Sequence, residues 1–332
     1  MNKWIVVLLL TWMSGLPVLA QPPESLATDI RVHDPVMIQQ DSVYYLFCTG
    51  RGIGRYRSTD LTHWERLPGV FAEAPHWVIE TIPGFKNHIW APDVAYIGGR
   101  YVLFYSVSQF GKNTSCIGLA STSSLHPGAP DDAWTDHGPV ICSEPGQDDW
   151  NAIDPNLIID TENQPWLSFG SFWGGLQLFP LAADLARPLP GSDIQPIAAS
   201  LRSEPDNLAS PGDGAIEAPF MVRRAGWYYL FASYGYCCRG EESTYHIRVG
   251  RAKSVTGPFV DQAGQALLAG GGSLVLEGDA RWAAVGHNAV VELDGQDYLI
   301  CHGYDRQEEG RPKLIIRSLR WKHGWPVVGD PR

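Results

Sequence analysis

The stretch HDPVMIQQDSVYYLF, running from His33 to Phe47, carries the reading of the fold: a polar residue and a Pro, an apolar run, a turn at Gln39-Gln40-Asp41, then an aromatic-rich run. The same phrase returns four times, as WAPDVAYIGGRYVLFY from Trp90, IDPNLIIDTENQPWLSF from Ile153, EAPFMVRRAGWYYLF from Glu217 and HNAVVELDGQDYLICH from His287. Each copy holds two apolar runs around turn residues (Gly98-Gly99, Asp160 to Gln164, Arg224-Ala225-Gly226, Asp294-Gly295), the pattern of a β-hairpin. The copies recur about every 60 residues, near the length of a four-stranded propeller blade and somewhat above the familiar blade periods. No helical period of useful length interrupts them, and a β-sandwich has no need of five similar phrases. The pattern predicts an all-β protein, a five-bladed β-propeller forming a single domain over residues 21–332. Leu181 to Pro211, rich in Pro, Ala and Ser, reads as a long surface insertion between blades.

Outside the repeats, the first residues read differently. Lys3, the apolar run Trp4 to Leu10 and small residues ending Val18-Leu19-Ala20 have the layout of a secretory signal peptide over residues 1–20. The run is shorter than the roughly 20 apolar residues needed to span a bilayer. The expected product is therefore secreted, extracellular or periplasmic, and free of the membrane after cleavage. The 332-residue chain carries 25 Lys+Arg against 36 Asp+Glu, a net charge of −11. That balance, with no basic cluster, argues against nucleic acid and anionic membranes as partners. It also disfavours a strongly acidic polymer and favours a neutral one. Thirteen Trp and 13 Tyr include enough flat apolar surface to stack on sugar rings. The six cysteines (Cys48, Cys116, Cys142, Cys237, Cys238, Cys301) are too few for a disulfide scaffold in so long a chain, and they lack the C-x-x-C pairs of a zinc site. Adjacent Cys237 and Cys238 leave three states open: a vicinal disulfide, two separate bridges, or two thiols. Nothing in the sequence indicates an oligomer, and a monomer is expected.

In a propeller, residues at one phase of the repeat converge on the central axis. The expected set is Asp34, the Trp90–Asp93 segment, Asp154, Glu217 and His287. An Asp before Pro is by itself commonly a turn residue. Glu217, however, lies among apolar neighbours, where a charge is costly to bury unless paired or protonated. Glycosidic cleavage commonly uses two carboxyl groups, one protonating the leaving oxygen and the other managing water or attacking the sugar. Glu217 has the apolar surroundings that raise a pKa, and Asp154 on the neighbouring blade can add a like charge. Asp34, two blades from Glu217, leaves space for a water, which points to an inverting mechanism.

Taken together, the chain resembles the family 43 glycoside hydrolases over essentially all of residues 21–332, and among them the endo-acting α-1,5-L-arabinanases. The likeness rests on HDP at His33, NHIWAPDV at Asn87, SVSQFG at Ser106, NAIDPN at Asn151, SFWGG at Ser171, AIEAPF at Ala215, CCRGEESTYHIRVGRAKSVTGPF at Cys237 and VGHNAV at Val285. It implies a general base at Asp34, a general acid at Glu217, and Asp154 as the residue that tunes and orients the acid. It further implies a substrate cleft lined by Asn151, Ala152, Ile153 and Asp154 and by Ser171, Phe172 and Trp173. Trp90 and Phe110, with Gly111 beside it, would offer stacking surfaces. His287 matches a residue contacting a metal ion and its water shell on the axis, with calcium the expected ion and no organic cofactor. The implied activity is cleavage of internal α-1,5-L-arabinofuranosyl linkages in arabinan, a neutral plant cell-wall polysaccharide.

Three alternatives compete with that activity. An exo-acting arabinanase, an α-L-arabinofuranosidase or a β-xylosidase would use the same fold; so would a retaining hydrolase, with its two carboxyls about 5 Å apart. A non-catalytic sugar-binding propeller would repeat one site in every blade, whereas here the polar residue changes from blade to blade. A protein-binding scaffold would leave the central acids without a purpose.

Overall fold

The computed structural model describes residues 25, 26, 28–130 and 132–329; the expected signal peptide lies outside them. Five antiparallel sheets of four or five strands follow one another along the chain, in the order blade I to blade V. Their first strands are Val36–Gln40, His88–Ile97, Asn156–Ile159, Ile216–Arg224 and Trp282–Leu293. Each first strand touches the first strands of the blades on both sides, and that of blade V touches that of blade I. The ring is closed, and the predicted five-bladed propeller is the architecture found.

Alternation along the second strands explains why the ring holds together. In Val43–Cys48 almost every side chain is buried, because successive residues point to opposite faces of the sheet and each face meets a neighbouring blade. Tyr45 and Phe47 pack with Leu103 and Tyr105 of blade II, while Tyr44, Leu46 and Cys48 pack with Tyr298 and Ile300 of blade V. The same division recurs at blades II–III, III–IV and IV–V. Each fully buried aromatic or aliphatic side chain contributes about 1.5–3 kcal/mol, so every interface is an apolar seam and leaves the polar residues for the axis.

The hairpin turns fall where the sequence places them. Gly98-Gly99, Ala225-Gly226 and Asp294-Gly295 all have positive φ at both positions, the condition for the tight turn that matches strand twist. Blade V is closed by the other end of the chain: Ser25–Leu26 pairs antiparallel with Ile316 and Arg317, and the Thr28 hydroxyl donates to the Leu314 carbonyl at 2.8 Å. Leu181 to Pro211 differs from the expected insertion, since Gln195–Ala198 within it is the outer strand of blade III. The only α-helix among the described residues is the six-residue His76–Thr81, and none is long and apolar enough to cross a membrane.

Candidate active site

At one position in every blade the backbone turns left-handed: Asp34 (φ 53°), Ala91 (43°), Asp154 (58°), Ala218 (55°) and His287 (52°). Such a conformation costs an L-residue about 1–2 kcal/mol. In blades II, IV and V it coincides with a bulge, two first-strand residues facing one on the second strand, a device that re-aims side chains. Its N–H is taken by a side chain from the preceding blade. Ala91 donates to Thr49 Oγ1 (2.8 Å), Asp154 to Ser106 Oγ (2.9 Å), His287 to Ser233 Oγ (2.8 Å) and Asp34 to His302 Nδ1 (3.1 Å). Blade III has Gly170 at that place, with no side chain to offer. The Ala218 N–H instead finds Asp154 Oδ2 at 3.1 Å.

The register corrects one expectation. Asp34, Asp154 and His287 share a phase, but Glu217 does not; Ala218 occupies that phase, and Glu217 stands one residue earlier, level with His33, Trp90, Ile153 and Gly286. The kink brings in residues from two successive positions. Glu217 is fixed there by blade III, through a backbone bridge with Ser171 and a hydrogen bond from Ser171 Oγ to Oε2 at 2.7 Å. Asp93, in the segment expected at the axis, serves the scaffold: its carboxylate accepts from the Leu157 N–H (2.7 Å) and the Asn156 amide (3.3 Å).

The carboxyls have opposite electrostatic environments. Asp34 is 7% exposed. Its Oδ1 lies 2.7 Å from His33 Nδ1 and 3.1 Å from His287 Nδ1, and the Thr49 hydroxyl donates to Oδ2. Burial pushes the Asp34 pKa up, but the two imidazoles outweigh it and hold the group well below the usual carboxylate range. Burial likewise pulls His287 down, and Asp34 and Asp154 carry it up to about 9. His302, buried against the His33 charge, stays well below an ordinary histidine, consistent with its Nδ1 accepting the Asp34 N–H. Glu217 is raised by burial, against the pull of Ser171 and of the Tyr245 hydroxyl, which is itself buried with no hydrogen bond of good geometry. Asp154 is pushed to about 8 by burial; His287 opposes, while Glu217 and Asp34 add to the rise. Asp154 and Glu217 therefore titrate as a coupled pair that retains a proton near neutrality.

The remaining expected residues are distributed unevenly. Phe110 is 80% exposed beside Gly111, whose φ is 73°, and Trp90 is half-buried with its indole donating to His88. Asn151, Ala152, Ile153 and Ser171 are buried, and Asn151 Oδ1 has no hydrogen-bond partner. Phe172 packs against Tyr236, ring centroids 5.7 Å apart. Trp173 is 4% exposed and donates to the Leu208 carbonyl, so it supports the loop from below. A separate cavity of about 380 Å³ between blade IV and the Ser200–Leu201 loop contains none of the three acids. Thr49, His302, Tyr245 and Tyr304 were not singled out from the sequence. Their signal was weak: Thr49, His302 and Tyr304 stand at or near the ends of second strands and Tyr245 just before a third strand, each meaningful only beside the next blade.

An axial ion can be tested against the residues present. His287 Nδ1 is engaged by Asp34, whereas both polar atoms of the adjacent Asn288 side chain are buried without a partner. Asn288 stands where four blades have Pro. An unpaired buried amide oxygen beside an imidazole suits a hydrated hard cation.

A pocket that keeps one carboxylate ionised and another protonated is the equipment of an acid–base glycoside hydrolase. The model of the glycosyl hydrolases family 43 matches residues 28–326, and the chain belongs to that family. It is 46% identical, over 96% of its length and 92% of the relative's, to the extracellular exo-α-(1→5)-L-arabinofuranosidase of Cellvibrio japonicus. To the extracellular endo-α-(1→5)-L-arabinanase 1 of Bacillus subtilis it is 40% identical over 90% of the chain and 88% of the relative. The structure of a Cellvibrio cellulosa α-L-arabinanase complexed with arabinohexaose superposes with a TM-score of 0.88 at 47% identity, covering 90% of this chain and 95% of that one.

Proposed function

We propose that this hydrolase cleaves α-1,5-L-arabinofuranosyl linkages of arabinan by a single displacement with inversion. The observation that carries the reading is the opposite tuning of Asp34 and Glu217 in one pocket: His33 and His287 hold the Asp34 pKa well below the usual carboxylate range, and burial raises that of Glu217. Asp34 takes a proton from water as it attacks the anomeric carbon, and Glu217 gives its proton to the leaving oxygen. Asp154, anchored on the Ala218 N–H beside Glu217, raises the proton affinity of the acid and fixes its orientation. His287 of blade V stands between the blades of base and acid and keeps the base charged. Blades I and IV are not neighbours in the ring, which supports room for a water between the two groups. A calcium ion held through water by His287 and Asn288 would supply fixed positive charge at the axis. Phe110 and Trp90 would offer the sugar apolar faces.

Exo action is favoured by the Cellvibrio japonicus relative, which matches at the higher identity over more of the chain. Endo action, the expectation from the sequence motifs, is the second reading and is carried by the Bacillus subtilis relative. Both relatives are named extracellular, which supports export out of the cell. Product analysis on linear arabinan, beside branched arabinan, xylan and a fructan, tests substrate and mode together. One fixed short product indicates exo action, and a ladder of oligosaccharides indicates endo action. Release of the α-anomer at first, or no hydrolysis of arabinan, rejects the reading.

A further inference from the structure

The base Asp34 is held by His33, and the far side of that imidazole faces two sulfurs. Although far apart in sequence, His33 Nε2, Cys237 Sγ and Cys238 Sγ all lie within 4.8 Å of one another. Nε2 is 3.8 Å from Cys238 Sγ. Ligands on a tetrahedral zinc ion, with Zn–S about 2.3 Å and Zn–N about 2.0–2.1 Å, stand about 3.6 Å apart for sulfur and nitrogen and about 3.8 Å for two sulfurs. The cluster is thus close to zinc spacing before any ion arrives. Cys238 is exposed and Cys237 half-buried, so an ion can enter from solvent. The other two free thiols, Cys48 and Cys301, are buried elsewhere. The third donor comes from another blade, which local C-x-x-C spacing does not register.

We propose that His33, Cys237 and Cys238 form a binding site for a thiophilic divalent cation such as Zn2+. His33 Nδ1 is engaged by Asp34 at 2.7 Å, which leaves Nε2 as the metal-facing nitrogen. A carboxylate on one ring nitrogen and a metal on the other is the usual way a ligand histidine is oriented. His33 gives up its Nε2 proton, the two thiols bind as thiolates, all three protons pass to solvent, and water fills the fourth position. The ion displaces the Tyr304 hydroxyl, now 2.9 Å from Nε2.

The full-length chain is titrated with Zn2+ by calorimetry, after reduction and removal of the reductant under argon. The expected result is one equivalent bound by the wild type and none at this site in Cys237→Ser/Cys238→Ser. Equal stoichiometry in wild type and variant overturns the site, as does wild type with both thiols free that binds nothing. A peptide map of the secreted protein showing Cys237 bonded to Cys238 overturns it too.

Discussion

Ser171→Ala isolates the contact that sets the acid. In the native protein the Ser171 hydroxyl donates to Glu217 Oε2 at 2.7 Å, with Ser171 4% and Glu217 9% exposed. A hydrogen bond to a charged group is worth about 1.5–3 kcal/mol. The donor favours the ionised carboxylate, so its removal raises the Glu217 pKa; at 1.36 kcal/mol per unit the rise is about one to two units. Hydrolysis needs Glu217 protonated, so the alkaline limb of the kcat/KM profile on linear arabinan moves up by the same amount, while the acidic limb, set by Asp34, stays in place. Stability has a matching sign. Glu217 has a folded-state pKa above its unfolded value, so it costs stability as pH rises past the unfolded value, and the variant enlarges that cost. The thermal midpoint of Ser171→Ala should fall further below wild type at pH 8 than at pH 4. An alkaline limb that is unmoved, or that shifts to lower pH, would refute the assignment of Glu217 as the acid and Ser171 as its modulator.

Asp154→Asn has the opposite sign. The amide can still accept the Ala218 N–H, but the repulsive charge beside Glu217 is gone, and the alkaline limb moves to lower pH with a reduced kcat; a limb moving upward contradicts the coupling. Glu217→Ala and Asp34→Ala should each lower kcat on linear arabinan by roughly 10²–10⁴-fold with circular dichroism unchanged, and substantial activity in both variants rejects the mechanism. Removing the Cys116–Cys142 disulfide, whose cysteines are 26 residues apart, should cost roughly 3–4 kcal/mol, read from urea midpoints. Ala225→Gly should stabilise by about 1 kcal/mol, because exposed Ala225 holds φ 48° in its turn and Gly does so without a Cβ penalty; a lower midpoint argues against that turn.

The repeat made the fold readable because a propeller blade buries both faces of its second strand, which turns architecture into an apolar run that recurs. The axial acids were readable for the same reason, since phase in the repeat is position around the ring. Phase was read one residue too coarsely at Glu217, because the left-handed kink is a backbone feature that a Pro marks only loosely: the Pro follows Asp34 and Asp154 directly but stands two residues after Glu217. Partners such as Thr49, His302 and Ser171 were harder to assign, because each acts on a blade other than its own. Gly170 shows the limit well. In sequence it is one more glycine in a β protein, yet its missing side chain is why Asp154 caps the Ala218 N–H and comes to rest by the acid.

The groups that keep Asp34 charged arrive from both ends of the polypeptide. His33 lies in the first blade, while His287 belongs to the last, the blade completed by strand Ser25–Leu26. The charge balance at the axis is thus assembled only across the closure of the ring: without the last blade, Asp34 would keep one of the two imidazoles that hold its pKa down and lose the other.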